Sequence, residues 1–110
     1  MIEVIEQRNS NGTIKGFQMS GHASSGPHGQ DLVCAAASAV SFGTVNAIIS
    51  MCECEPYIEQ SEDGGFLKVS LPEQLSGERL NKAQTLLEGM FVSLETIERD
   101  YGQYINISKP

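Results

Sequence analysis

The stretch from Leu80 to Ile97 constrains the fold more than any other part of the chain. Leu80, Ala83, Leu86, Leu87, Met90, Phe91, Leu94 and Ile97 recur at three- and four-residue steps, which gathers them on one stripe of an α-helix. A helix with one apolar side gains little from propensity alone and has to lay that stripe on another element. Ser76 is suited to cap its start and Gly102 to end it. The remaining residues must therefore build the opposing surface.

Short alternating segments supply it. Ile2, Val4 and Glu6 share one face of a strand over residues 2–8. Asn9-Ser10-Asn11-Gly12 ends on Asn-Gly, a strong hairpin signal. Thr13 to Ser20 reads as the antiparallel partner, with Ile14, Gly16, Gln18 and Ser20 on one side and Phe17 and Met19 beside them. Gly21 to Gln30 is crowded with Gly, Ser and Pro and forms neither helix nor strand. Asp31 then caps a helix running to about Met51, whose small residues Ala37, Ser38, Ala39, Ser41 and Gly43 admit a close neighbour and suit a central buried helix. Tyr57 to Gln60 after Pro56, the turn Ser61 to Gly65, and Phe66 to Leu71 before Pro72 make a second hairpin. Tyr104 to Ile107 closes the chain with a short strand. The order ββαββαβ predicts an α+β fold, two helices packed on a mostly antiparallel sheet, as a single domain over residues 1–110.

Charge and cysteine usage narrow the function. Fourteen acidic side chains against seven basic ones give a net charge of −7. With no cluster of Lys or Arg, such a chain repels phosphate backbones, so no direct nucleic-acid partner is expected and a basic protein or peptide suits better. Met1-Ile2-Glu3-Val4-Ile5-Glu6 lacks the basic start and apolar run of a secretory signal, and no apolar run is read as approaching the ~20 residues of a bilayer span. A cytoplasmic protein without a membrane partner is the expectation. Cys34, Cys52 and Cys54 are an odd set in such a chain and are read as thiols.

Cys34 has the most chemistry available. With Asp31 at the N-cap it falls in the first helical turn, where unpaired N–H groups and the helix dipole favour negative charge. The thiolate is the nucleophile, and an ordinary thiol is only roughly 3% ionised at neutral pH. The dipole contributes about 0.3–1 kcal/mol, too little to ionise most of it. An imidazole has to supply the rest. His22, directly after Gly21 at the end of a strand, has a fixed direction; His28 lies inside the loop between Pro27 and Gly29. His22 is thus the better base.

Other readings of the same residues stand beside this one. Most helical cysteines are small buried hydrophobes. A Gly-rich loop entering an N-cap suits an anion, although no Lys or Arg lies in it. His22, His28, Cys34, Cys52 and Cys54 form no closed metal-ligand pattern, so neither metal nor cofactor is expected, and Cys52 lies about 27 Å along the helix from Cys34. From residue chemistry alone, a Cys–His site is one option among these.

Gly21-His22-Ala23, followed by Gly29-Gln30-Asp31-Leu32-Val33-Cys34-Ala35-Ala36-Ala37-Ser38-Ala39-Val40, resembles the ribosomal-processing cysteine protease family. Its members carry a GHA element, a loop and then G-x-D-[IV]-V-C-A-x-x-S; Leu32 stands here where many relatives have Ile. The resemblance continues through Gly43 to Ile48, the Asp63-Gly64-Gly65 turn and the helix from Leu86 to Glu98, and so covers nearly the whole chain. It implies that Cys34 is the nucleophile and His22 the base, with Gly21, Asp31 and Ser38 at supporting or orienting positions. It gives His28 no role. It further implies a homodimer and a ribosomal protein substrate, large-subunit protein L twenty-seven, from which a short N-terminal extension is removed. Asp31 either caps the helix, orients His22, or does both; Ser38 either faces the site or packs as a small residue. The competing functions are a non-catalytic adaptor that binds a ribosomal protein or assembly factor through the same groove, and a redox sensor centred on Cys34.

Overall fold

The computed structural model describes residues 1–27 and 30–110, and its elements follow the expected ββαββαβ order. Strands β1 (Ile2–Arg8), β2 (Ile14–Ser20), β3 (Tyr57–Gln60), β4 (Phe66–Ser70) and β5 (Ile105–Ser108) form one sheet in the spatial order β3-β4-β2-β1-β5. All neighbouring pairs are antiparallel except β1 and β5, which are parallel. Helix α1 (Leu32–Cys52) connects β2 to β3, and helix α2 (Gly77–Tyr101) connects β4 to β5.

One face of the sheet is apolar. Ile2 and Val4 of β1, Phe17 and Met19 of β2, Leu67 and Val69 of β4, and Ile105 of β5 are buried there. The register pairs Val4 with Met19, Met19 with Leu67 and Ile2 with Ile105, so these side chains share a side. Both helices cover it. Helix α2 buries Ala83, Leu87, Met90, Phe91 and Leu94, the central part of its expected stripe. Phe91 meets Phe17 edge to face at 6.4 Å, an arrangement worth about 0.5–1.5 kcal/mol beyond area burial.

The phase expected for β2 is corrected. Phe17 and Met19 face the core, whereas Gln18 and Ser20 are only half-buried on the other side. The register shifts between Gln7, opposite Gly16, and Arg8, opposite Ile14, which leaves Lys15 as an extra residue. This bulge resets the alternation and lets Ile14 point inward with Phe17. Simple period-two counting cannot register such a reset.

Helix α1 also differs from expectation. It buries one stripe, Val33, Ala37, Ser41, Val45, Ile48 and Cys52, and packs against α2. Its far side is open, with Leu32 65% exposed and Phe42 40% exposed, so it is not the fully enclosed central helix its small residues suggested. By length and composition alone it is apolar enough to cross a membrane. That corrects the expectation that no apolar run approached bilayer length; the interspersed Ser38, Ser41, Thr44 and Asn46 conceal it from a search for unbroken runs. In this fold the helix serves as one wall of the core.

Candidate active site

Asp31 sets the start of α1. Its backbone is extended, and its Oδ1 accepts the Cys34 N–H at 3.0 Å as an N-cap should. The Ser25 hydroxyl donates to the same oxygen, and the Ser25 N–H donates to Oδ2 at 3.0 Å. These contacts hold the Asp31 carboxyl well below the usual carboxylate range, the Ser25 hydroxyl first and the Cys34 N–H next. The loop after β2 is thus clasped onto the helix that carries Cys34. The clasp also uses up helix-start donors: Cys34 N–H goes to Asp31, Val33 N–H faces Ser25 Oγ at 3.5 Å, and Ala35 N–H goes to the Asp31 carbonyl at 3.0 Å.

Cys34 is half-buried, and its Sγ accepts the Ala23 N–H at 3.2 Å. That contact ties the nucleophile candidate to the residue next to His22. His22 leaves the end of β2 through Gly21, whose φ of +88° suits glycine. A Cβ at Gly21 would lie 2.3 Å from the Met1 carbonyl oxygen, so the strand end packs too closely for any other residue. The Gly21 N–H donates to the Gly65 carbonyl at 2.8 Å and pins this strand end to the β3–β4 turn.

His22 and Cys34 line one cleft of about 490 Å³ between the β2 end, the start of α1 and the β3–β4 turn. Met19, Phe42 and Phe66 give it apolar walls. Of the supporting positions expected from the sequence, Gly21, Asp31 and Ser38 all line this same cleft, and Ser38 is exposed one turn beyond Cys34. Asp31 caps the helix. The carboxylate recorded beside His22 is instead Asp63, with Oδ2 3.9 Å from Nε2. His28, given no role, lies outside the described residues. No group of three or more metal-ligating side chains occurs among the described residues. Cys52 and Cys54 are buried free thiols, and burial pushes the Cys54 thiol up.

Ser25, Asp63 and Gly65 were not singled out as site residues by sequence reasoning. The signal for Ser25 was a hydroxyl six residues before an N-cap, which is weak. For Asp63 and Gly65 the signal lies in strand pairing, because Ser20 opposite Phe66 carries the turn to the end of β2.

This geometry can be set beside known proteins. The family model described as cysteine protease Prp matches residues 1–106. The chain belongs to this family of cysteine proteases. The ribosomal processing cysteine protease Prp of Bacillus subtilis is 48% identical over 108 residues, covering 98% of this chain and 96% of the relative. Its Staphylococcus aureus counterpart is 40% identical, covering 98% of each. Two crystal structures of Prp from S. aureus superpose over the full length of both chains. One, in complex with a covalently linked product peptide, has a TM-score of 0.90 at 39% identity; the other, with a substrate peptide, has 0.85 at 37%. The Prp fold and the Prp class of chemistry are therefore those of this chain.

Proposed function

We propose that this Prp-family protease removes the short N-terminal extension of ribosomal protein L twenty-seven, with Cys34 as nucleophile and His22 as its base. The observation that carries the reading is the shared cleft, in which Cys34 and His22 approach from α1 and the β2 end beside apolar walls. Relatives named as ribosomal processing proteases, and an S. aureus relative crystallised with substrate and product peptides, support the substrate class.

The mechanism follows from the residues. Cys34 Sγ attacks the scissile carbonyl carbon, forming a carbon–sulfur bond while the carbonyl electrons move to oxygen. His22 takes the thiol proton and delivers it to the amine nitrogen as the carbon–nitrogen bond breaks. Water, deprotonated by His22, then hydrolyses the thioester; the extension leaves as a carboxylate and the thiol is restored. The Ala23 N–H stabilises charge on sulfur before attack. The helix-start amides of Cys34 and Ala35 already have partners, so neither is free to hold the oxyanion. The reading includes a cytoplasmic homodimer, for which sedimentation equilibrium is the direct measurement.

A peptide spanning the junction between extension and mature protein tests this. Wild type should cleave it once, and Cys34→Ala and His22→Ala should each lose at least about a thousandfold while melting normally. Binding without cleavage by the wild type would overturn the proposal, and so would cleavage that survives Cys34→Ala.

A further inference from the structure

The two oxygens of Asp63 have different partners. Oδ1 accepts the Ser61 hydroxyl at 2.6 Å and the Gly65 N–H at 2.9 Å, and so builds the β3–β4 turn. Oδ2 faces His22 Nε2 at 3.9 Å, within ion-pair range but too far for a direct hydrogen bond. The turn itself is fixed to the β2 end by the Gly21–Gly65 backbone hydrogen bond. Gly65 leaves room for the ring: a Cβ there would lie 2.9 Å from Nε2. The Ser61 hydroxyl and the Gly65 N–H hold the carboxylate, and the Gly21–Gly65 backbone bond holds the turn that carries it beside the imidazole.

We propose that Asp63 is a positioning residue for the protease reaction, its negative charge favouring the imidazolium form of His22 and with it the thiolate of Cys34. This rests on the reading of Cys34 and His22 as nucleophile and base. Among the described residues lining the cleft, the other charged or titratable side chains are Cys34 from α1 and Asp31 at its cap. Asp31 is committed to Ser25 and Cys34, which leaves Asp63 as the carboxylate turned to the ring. Asp63 itself is held below the usual carboxylate range, chiefly by the Ser61 hydroxyl, then the Gly65 N–H, and to a lesser degree by His22. It is thus charged at neutral pH.

Asp63→Asn separates charge from turn-building, because an amide oxygen still accepts from Ser61 and Gly65 while its NH₂ faces Nε2. The Asp63 side chain is 75% exposed, so the effect is modest and sensitive to salt. Expected for Asp63→Asn is a loss of about two- to fivefold in kcat/KM with KM nearly constant, the scale of an exposed ion pair. The alkaline limb of its pH–rate profile should move down by a few tenths of a pH unit, and Asp63→Glu should recover much of both. High salt should bring the wild-type limb toward that of the variant. A variant profile superimposed on wild type overturns the proposal, as does an Asp63→Glu variant no better than Asp63→Asn. The ¹⁵N titration of the His22 ring decides without turnover: a midpoint lowered in Asp63→Asn supports the proposal, and an unmoved one overturns it. Failure of wild type to cleave the junction peptide would sink the protease reading, while that titration would still decide the Asp63–His22 coupling.

Discussion

At residue scale, the site is defined by close approach. Gly65 has no left-handed backbone requirement, so alanine there meets an obstacle only from side chains, chiefly His22 Nε2 and then Asp63 Oδ1 at 3.2 Å. Gly65→Ala should leave the melting temperature nearly unchanged yet lower kcat/KM by about ten- to a hundredfold, since a small misplacement of a reacting group costs that much. Equal activity would show that the imidazole needs no support from the turn. Asp31 makes a different prediction. Its ordinary value is 3.8 and its folded value is depressed, so its charge-linked stabilisation is present above about pH 4 and lost as pH falls below that. Asn caps nearly as well as Asp but does not ionise. Melts should show wild type more stable than Asp31→Asn near pH 6, with the gap closing as the pH drops below 4. A constant gap would assign the difference to capping geometry.

At element scale, the two helices are fastened to each other more directly than their caps suggest. Ser76 occupies the N-cap of α2 as the sequence predicts, but its hydroxyl makes no capping hydrogen bond. The first turn of α2 instead reaches across: Arg79 Nε donates to the Cys52 carbonyl at 2.8 Å, and Nη2 donates to the Glu53 carbonyl. These satisfy carbonyls at the end of α1, where Glu53 turns left-handed with φ 49°. Arg79→Ala should destabilise by about 1–3 kcal/mol in urea unfolding without altering the cleft, which lies at the other end of α1. The element order was legible because each helix has a strong local signature: the Asp31 cap and the mixed apolar and small residues after it for α1, and the eight-residue stripe for α2. That His22 and Cys34 meet in one cleft was legible because they lie close in sequence within one extended motif. The inward phase of β2 was hidden by a bulge set through pairing with β1, and Asp63 was hidden because strand pairing, not sequence neighbourhood, delivers it to His22.

At the scale of the whole molecule, charge acts both inside and outside. Glu6 is 2% exposed on the core face of β1; Arg8 bonds its Oε1, while Oε2 has no hydrogen-bond partner among the described residues. Arg8 also reaches Glu88 of α2 and stands over the Phe91 ring at 5.9 Å, tying sheet to helix. Its guanidinium is held firmly charged, first by the hydrogen bond to Glu88 and, against the cost of burial, also by Glu6. Arg8→Ala should cost about 2–4 kcal/mol because it strands a buried carboxylate, whereas Glu6→Met with Arg8 intact should cost much less. Equal losses in denaturant melts would mean that the ion pair itself, not the stranded charge, matters. Outside, a net charge of −7 favours approach of a basic substrate, so kcat/KM on the proposed L twenty-seven precursor should fall as salt rises, with kcat little changed.

The clasp of Ser25 and Asp31 over the first turn of α1 bears on inhibitor chemistry. Aldehydes and ketones draw much of their affinity from a tetrahedral alkoxide, and the helix amides that would cradle one are already engaged. Electrophiles that form a carbon–sulfur bond without leaving a charged oxygen beside it, such as vinyl sulfones, are the better starting warheads for Cys34 as the proposed nucleophile. The apolar cleft walls at Met19, Phe42 and Phe66 are where a scaffold carrying them would find its grip.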